Sequence, residues 1–446
     1  MATKVVDRLK VAASPPAAGR VLPLTFFDVP WLFTGPVERV FFYADPHPVE
    51  HFSAHLVPPL VSSLSAALHS FYPLLGRVWP CQDGGGGYEF CSTGGDEDRI
   101  ELTVAESSDD FEELTSGGPR DVARLYSLVP QLPPTEDGGF ALAAVQVTAF
   151  PGKGLAVGVS IHHVASDDSS FMHFVKTWAG HCRLAAGGDA AVVPPSPLLD
   201  RRVVADPEGL AARTLDEMRQ LAASGPPPPP PSGPPSKLVM ASFSLTRDCI
   251  DKLKQRVTAS GNGVHCSAFA VACAYAWACL VKVDCSSAGK ERAHLLFSVE
   301  CRRRLTPPVP QEYLGNCLRP CFVEVNMGDL IGNDGVVTAA TGIGAAIKGL
   351  DDGVLDGADG WFHKIMSMVP HRPMSVGGSP RYGVYDTDFG LGRPRKVELV
   401  SIDKTPGTVS MAEGRDGQGG IEIGVVLPEA EMVQFSSYFS DGLKQL

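Results

Sequence analysis

Residues 155–167 read LAVGVSIHHVASD, an apolar run that ends in two histidines and an aspartate. The run from Leu155 to Ile161 is short and rich in β-branched residues, which predicts a buried strand. After the aspartate, apolar residues recur at spacings of three and four, as in an amphipathic helix, and Asp168 or Ser169 is available as its N-cap. The two histidines are therefore predicted to lie on the turn between a strand and a helix.

Such a turn suits a catalytic group, because rigid elements on both sides fix a side chain that still faces a cleft. Neighbouring side chains on a strand point to opposite faces, so His162 and His163 cannot both enter one pocket. We predict that His163 is a general base and that His162 is a packing residue. His163 and Asp167 form His-x-x-x-Asp, which by itself is a weak pattern. Two diverging histidines without a carboxylate-rich partner motif also disfavour a metal site.

Bulk composition is consistent with a soluble enzyme. The chain has 446 residues, 44% of them hydrophobic, which is enough for two domains with separate cores. A net charge of -12 argues against nucleic acid or an anionic membrane as the main partner. The eleven cysteines form no CxxC pairs, so no zinc site is indicated. Without a signal peptide or a spanning apolar segment, we expect a cytoplasmic protein, and we expect it to be a monomer.

The clearest break in the chain is a run of six prolines at residues 226–231. Such a run predicts an extended, exposed spacer, with a ligand for an SH3-like domain as the alternative. Strand and helix patterns alternate on both sides of it, which predicts an α/β architecture. The predicted organisation is an N-terminal domain at 1–205, a linker at 206–237 and a C-terminal domain at 238–446.

A second motif, YDTDFGLGRP, occupies residues 385–394. The two motifs in this order resemble the BAHD acyltransferases, plant enzymes that transfer acyl groups from coenzyme A thioesters. That family carries HxxxD, here His163 to Asp167, and DFGWG, here Asp388 to Gly392. Leu391 stands where the family usually has Trp, and Asp168 where it more often has Gly.

The resemblance spans nearly the whole chain and is strongest to the malonyltransferase-like branch, which acts on anthocyanin, flavonoid and phenolic glycosides. Four further stretches carry it: LTFFD at 24–28 with WL at 31–32 and PVER at 36–39, FYPLLGR at 71–77, RRRLTPPVP at 302–310 followed by YLGNC at 313–317, and SVGGSPR at 375–381. The resemblance implies two similar domains of chloramphenicol acetyltransferase-like fold, joined by a long crossover loop, with an active-site channel between them.

The implied activity is O-acyl transfer, most often of malonyl, from coenzyme A to a hydroxyl of a flavonoid or phenolic glycoside. The acyl-coenzyme A is a cosubstrate, and no bound cofactor is implied. His163 would take the hydroxyl proton while the oxygen attacks the thioester directly. A hydroxycinnamoyl or other aromatic donor is an alternative within the family. A catalytically degenerate, ligand-binding member is a second alternative, because Leu391 and Asp168 depart from the usual motifs.

The resemblance also suggests roles for the remaining charged residues near the motifs. Asp167 could orient the imidazole as in a hydrolase triad, or turn away and hold the turn through an arginine, which the family favours. The loop that contains Asp388, Phe389, Gly390 and Gly392 is expected to be structural, with Arg302 or Arg304 as the partner of Asp388.

Two further groups are candidate ligand contacts. Lys252, Lys254 and Arg256 are taken to share one side of a helix, and Ser267 opens the next helix, so these four are predicted to contact coenzyme A. A solvated helix face is the alternative for the three basic residues. Ser375 is predicted to contact the substrate.

Overall fold

The computed structural model describes residues 2–81, 87–95, 97–133, 139–189, 193–223, 237–261, 266–283 and 291–446. Its strands are β1 Thr3–Val11, β2 Arg20–Pro23, β3 Pro36–Ala44, β4 Arg77–Pro80, β5 Tyr88–Ser92, β6 Ile100–Ser107, β7 Arg120–Asp121, β8 Phe140–Ala141, β9 Ala143–Phe150, β10 Gly154–His162, β11 Leu238–Leu245, β12 Arg292–Glu300, β13 Leu318–Asn326, β14 Met374–Gly377, β15 Lys396–Leu399, β16 Thr408–Glu413 and β17 Ile421–Pro428. Its helices are α1 Val49–His51, α2 Val57–Ser70, α3 Phe111–Leu114, α4 Val122–Tyr126, α5 Asp168–Ala185, α6 Leu210–Ala223, α7 Arg247–Ala259, α8 Ala268–Val283, α9 Met327–Ile331, α10 Gly335–Lys348, α11 Trp361–Met368 and α12 Glu429–Lys444.

Two large mixed sheets, each covered by helices, give the predicted α/β architecture. The first sheet has the order β1-β6-β9-β10-β3-β15, and its core includes apolar side chains of α2 and α5. The second has the order β13-β12-β14-β16-β17-β11-β7, and its core includes α8, α10 and α12. A smaller sheet, β2-β5-β4-β8, completes the strands.

The strand predicted at 155–161 is confirmed as β10, which lies between β9 and β3 and is antiparallel to both. All nine of its residues are buried, as expected for an apolar run in the middle of a sheet. The helix after it is confirmed as α5, but its N-cap is neither Asp168 nor Ser169. Asp167 caps it and accepts a hydrogen bond from the backbone N of Ser170 at 2.9 Å.

The two halves exchange edge strands. β15 comes from the C-terminal half of the chain and pairs with β3 of the first sheet. β7 comes from the N-terminal half and pairs with β11 of the second sheet. The sheets therefore do not divide the chain at one point in the sequence.

The predicted linker at 206–237 is more structured than its composition indicates. It contains α6, which buries Leu210, Leu215 and Met218. These three side chains fall on one face of a helix, which gives the segment a packing role. The six prolines at 226–231 lie outside the described residues.

Buried charges join the exchanged strands. The ammonium of Lys396 on β15 lies 2.6 Å from Glu422 on β17 and 3.2 Å from Glu398. Arg120 on β7 approaches Glu398 to 2.6 Å. Burial alone would raise the pKa of Glu398, but Arg120 and Lys396 lower it below its ordinary value. Two cations and two carboxylates thus compensate one another between the sheets.

Replacing Lys396 by Met should destabilise the protein by about 3–5 kcal/mol, because it leaves two buried carboxylates with one cation between them. Denaturant unfolding measures this loss. Lys444→Met is the matched control, since it breaks a pair with Asp441 in which both side chains are more than half exposed. That control should change the free energy of unfolding by less than about 1 kcal/mol. Equal losses in the two variants would contradict a structural role for the buried charges.

Candidate active site

His163 lies on the turn that leaves β10, and its surroundings fix its ring. Its backbone N donates to the carbonyl oxygen of Gly35 at 3.1 Å. Its imidazole stacks on the indole of Trp31, with ring centroids 3.8 Å apart and planes inclined by 5°. Nδ1 is enclosed and has no hydrogen-bond partner among the described residues. Stacking and enclosure together hold the ring in one orientation.

His162 points elsewhere. Its ring packs against Phe140, with centroids 5.4 Å apart, and lines a cavity of about 350 Å³ that also contacts Phe33 and Leu132. Burial lowers the pKa of His162 to about 4. The two histidines therefore diverge, and they do not form a shared metal site.

Burial also governs the protonation of His163. It lowers the pKa of His163 below the ordinary 6.5, while the charges of Asp167 and Asp168 act in the opposite direction. An imidazole with a lowered pKa is neutral at pH 7. His163 can accordingly accept a proton from a bound molecule.

Asp167 turns away from this imidazole. Its Oδ2 accepts from Arg302 Nη1 at 2.7 Å and its Oδ1 from Arg302 Nη2 at 3.1 Å. The backbone N of Cys317 also donates to Asp167, at 3.0 Å. The side chains of Asp167 and Arg302 are fully buried. Asp167 therefore makes the arginine pair of the second alternative, and its oxygens are occupied by partners other than His163.

Asn316 and Asp28 also hold the turn, and neither was predicted from the sequence to have a role there. Asn316 Nδ2 donates to the carbonyl oxygens of His163 at 2.9 Å and Val164 at 3.1 Å. It also donates to Asp28 Oδ1 at 3.0 Å. Asp28 is fully buried and lies 3.4 Å from the guanidinium of Arg201. The signal in the sequence was a single carboxylate inside the apolar stretch 26–33, since a buried charge needs a partner.

Asp168 makes an ion pair at the same turn. It lies 2.9 Å from the guanidinium of Arg39 on β3. The guanidinium carbon of Arg39 lies 5.3 Å from the ring centroid of Phe171. An acidic residue in the first turn of a helix also interacts favourably with the helix dipole. The replacement of Gly by Asp after the first motif therefore fits the local structure.

The prediction that Asp388 pairs with Arg302 or Arg304 is wrong. Asp388 accepts from the backbone N of Gly390 and of Gly392, at 2.8 Å each, and its ion pair is with Arg183 on α5, at 3.7 Å. The φ angles of the two glycines are 90° and 81°, which L side chains rarely adopt. This loop thus forms a self-contained turn near α5.

Arg302 and Arg304 both follow β12 in the second half, and each pairs with a carboxylate other than Asp388. Arg302 pairs with Asp167, and Arg304 pairs with Asp351 at the surface, at 2.8 Å. Phe389 anchors the loop instead. Its ring makes edge contacts with Tyr43 and Trp178, at centroid distances of 5.9 and 4.8 Å.

The predicted coenzyme A contacts do not share one side of a helix. Consecutive residues are about 100° apart on a helix, so Lys254 lies about 200° from Lys252. Lys252 pairs with Asp248 at 3.1 Å, and Arg256 lies 3.4 Å from Asp334. Lys252 and Arg256 are four residues apart and do share a side, so the expectation of a common face was wrong for Lys254 only.

Lys254 and Ser267 lie on or next to helices of the second half. Lys254 is on a solvent-open surface of α7 together with Thr258. Ser267 caps α8, since its Oγ accepts from the backbone N of Ala270 at 3.1 Å. Ser375 lies on β14, with its Oγ 2.6 Å from Thr408 Oγ1. The structure does not bring these three residues into contact with His163.

Two absences hold for the described part of the chain. It has no group of three or more His, Cys, Asp or Glu side chains placed to hold a metal ion. None of its helices combines the length and the apolar character needed to cross a bilayer.

Comparisons with known proteins identify the family. The model of the transferase family matches residues 2–441. The chain is 37% identical to coumaroyl-CoA:anthocyanidin 3-O-glucoside-6''-O-coumaroyltransferase 2 of Arabidopsis thaliana, over 97% of this chain and 96% of that protein. It is 35% identical to malonyl-coenzyme A:anthocyanin 3-O-glucoside-6''-O-malonyltransferase of Dahlia pinnata, over 99% and 97%.

Among solved structures, this chain is similar to vinorine synthase, with a TM-score of 0.70 and 20% sequence identity. The match covers 97% of this chain and 96% of the vinorine synthase chain. That likeness supports the predicted chloramphenicol acetyltransferase-like fold. Since the family match extends over almost the whole chain and both motifs lie within it, the chain belongs to the BAHD transferase family.

Proposed function

We propose that this protein transfers an acyl group from a coenzyme A thioester to a hydroxyl of a glycosylated phenolic compound. The observation that carries the proposal is the state of His163, which is neutral, fixed by Trp31 and free of Asp167. The relatives act on anthocyanidin and anthocyanin glucosides by name, and they support this acceptor class. A cytoplasmic location and a monomeric state remain predictions from the sequence.

In the proposed reaction His163 acts as the general base. An alcohol is a poor nucleophile at neutral pH, so a base must take its proton as the oxygen attacks the thioester carbonyl. Because Nδ1 is enclosed, Nε2 is the atom assigned to this proton. The same proton then passes to the departing thiolate of coenzyme A, which leaves His163 neutral for the next turnover. Asp167 contributes by positioning, through Arg302.

For the donor, the sequence favours malonyl, and of the two relatives the first takes coumaroyl and the second malonyl by name. We propose that Lys254 and Ser267 contact coenzyme A, and Ser375 the substrate. Lys252 and Arg256 keep their surface partners in this proposal and contribute charge only.

Free-thiol release tests the proposal. Purified protein is mixed with malonyl-, acetyl- or coumaroyl-coenzyme A and with either a flavonoid glucoside or its aglycone. Release that requires the glucoside supports the proposed acceptor class. Release with the aglycone alone would overturn it, and no acceptor-dependent release with any pair would support a degenerate, ligand-binding protein.

His163→Ala should fold normally yet lose acyl transfer, by about 10²- to 10⁴-fold, which is the contribution of general base catalysis. Steady-state thiol release measures the loss, and circular dichroism checks the fold. His69→Ala is the matched control, because it also deletes an imidazole, but from the exposed surface of α2. A fully active His163→Ala enzyme would contradict the role of His163 as general base.

Asp167→Asn should lower the free energy of unfolding by about 3–5 kcal/mol, because the buried Arg302 loses its counter-charge. Asp388→Asn should cost less, since its pair with Arg183 is partly exposed and Asn retains an oxygen for the two glycines. Chemical denaturation compares the two variants directly. The reverse order would mean that the second motif, rather than the Asp167 pair, anchors the fold.

The acid limb of the pH profile for kcat/KM should be centred below pH 6.5. The base works when neutral, and burial lowers the pKa of His163 from 6.5, so activity rises with pH through that lower value and is complete at neutrality. Asp168→Asn should move the limb further down, because the carboxylate of Asp168 raises this pKa. A limb centred above pH 6.5 would exclude a desolvated His163 as the base.

A further inference from the structure

A cavity of about 350 Å³ lies beside the turn that carries His163, and the proposed reaction leaves it unused. Its lining is mostly apolar and includes Phe33, Leu132 and Phe140, together with His162 at the end of β10. The volume falls within the range of about 300–1,000 Å³ that is typical of sites for small organic molecules. We call it the Phe33 cavity.

Two phenylalanines give the Phe33 cavity an aromatic lining. The ring centroids of Phe33 and Phe140 are 6.1 Å apart, with planes inclined by 74°. Phe33 also makes an edge contact with Tyr88, at a centroid distance of 6.2 Å. These neighbours position the Phe33 ring, yet 56% of the residue is exposed. A positioned phenyl ring with a free face can stack on a planar aromatic ligand.

One polar group belongs to this apolar lining. His162 is 4% exposed, and its Nδ1 accepts a hydrogen bond from the backbone N of Val164 at 3.3 Å. Burial lowers the pKa of His162 to about 4, so its imidazole is neutral at pH 7 and carries a single proton. Because Nδ1 accepts, that proton is on Nε2, which has no hydrogen-bond partner among the described residues. The cavity therefore suits an aromatic molecule that carries an oxygen acceptor.

Gly35 connects the Phe33 cavity to the turn of His163. It lines the cavity, and its carbonyl oxygen accepts from the backbone N of His163 at 3.1 Å. Apart from its neighbours in the chain, no described atom lies within 4 Å of the position that a Cβ of Gly35 would occupy. The space beside Gly35 is therefore open. The cavity adjoins the turn without containing the imidazole of His163.

A phenolic glucoside needs two such adjoining sites. Its reacting hydroxyl is on the sugar and must reach His163 for the proton transfer to accompany attack. The aromatic part is separated from that hydroxyl by the sugar ring and the glycosidic bond, so it must bind beside the base rather than at it. Transfer of an aromatic ring from water into an apolar cavity is favourable, whereas a sugar gains little from such a place.

We infer that the Phe33 cavity binds the aromatic part of the acceptor, and that Nε2 of His162 donates a hydrogen bond to one of its oxygens. This inference rests on the proposed acyl transfer to a glycosylated phenolic compound. The first histidine of the pair then contributes to acceptor binding, and the second takes the proton. Phe33 and His162 are specificity residues for the aglycone.

Two acceptors with the same sugar test the aromatic lining. Quercetin 3-O-glucoside carries a flavonoid, and methyl glucoside carries no aromatic ring. Phe33→Ala should lower kcat/KM for the quercetin glucoside at least fivefold, through KM, and change that for methyl glucoside less than twofold. Tyr438→Ala is the matched control, since it also deletes a partly exposed aromatic ring, 42% exposed, but on α12. An unchanged KM for the quercetin glucoside in folded Phe33→Ala, or an equal loss with both acceptors, would overturn the inference.

Two substitutions of His162 separate hydrogen bonding from packing. His162→Phe keeps an aromatic ring but removes the N–H donor, and it should raise KM for the quercetin glucoside about three- to tenfold, as expected for one hydrogen bond. His162→Gln supplies an N–H donor and should recover most of this loss. A packing role alone predicts the opposite order, because Phe is closer to His in shape. A KM nearer to wild type in His162→Phe than in His162→Gln would therefore overturn the assigned hydrogen bond.

Titration calorimetry with free quercetin gives a readout that does not need turnover. The wild-type protein should bind quercetin, and Phe33→Ala and His162→Phe should weaken the binding by factors similar to their effects on KM. If no donor and acceptor pair supports transfer, the proposed function fails, and this titration alone decides the inference. In that case, no binding of quercetin, or equal binding by the wild type and both variants, would overturn it.

Discussion

The buried pair between Arg302 and Asp167 is the interaction on which the site depends. Arg302 follows β12 in the second sheet, and Asp167 caps α5 beside the first sheet. Burying two charges is unfavourable unless their remaining donors and acceptors are satisfied. Here the backbone N of Ser170 and of Cys317 donate to Asp167, while Arg302 also donates to two carbonyl oxygens. The pair therefore stabilises the fold and fixes the turn that carries His163.

Because Asp167 is used in this way, its oxygens are bonded elsewhere and do not contact the ring of His163, the proposed base. A catalytic triad raises the basicity of histidine through an aspartate, whereas this site leaves the imidazole desolvated and stacked on Trp31. Such a base is weaker but stays neutral at physiological pH. That state suits attack by a hydroxyl on an activated thioester, since the thioester is already a reactive acyl donor.

Local patterns in the sequence predicted the local parts of the structure. The strand, the turn and the helix around His163 follow from hydrophobic periodicity over a few residues, and their observed bounds agree closely with the predicted ones. Other features depend on contacts between segments far apart in the chain, which no local pattern encodes. They are the exchange of β15 and β7 between the sheets, the pairing of Asp388 with Arg183, and the hydrogen bond from Asn316 to the His163 carbonyl. The common face assigned to Lys252, Lys254 and Arg256 was a different kind of error. Lys254 is two residues from each of the others, so a helix places it on the opposite side, whereas Lys252 and Arg256 are four residues apart and share a side.

Stability and selectivity are coupled in this interior. A protein can bury charges between two sheets if each cation meets a carboxylate, as Lys396 does on β15 and Arg39 does beside the turn. The more completely the charges are paired, the less favourable it becomes to admit a further charge, because a bound carboxylate must displace an existing partner or remain uncompensated.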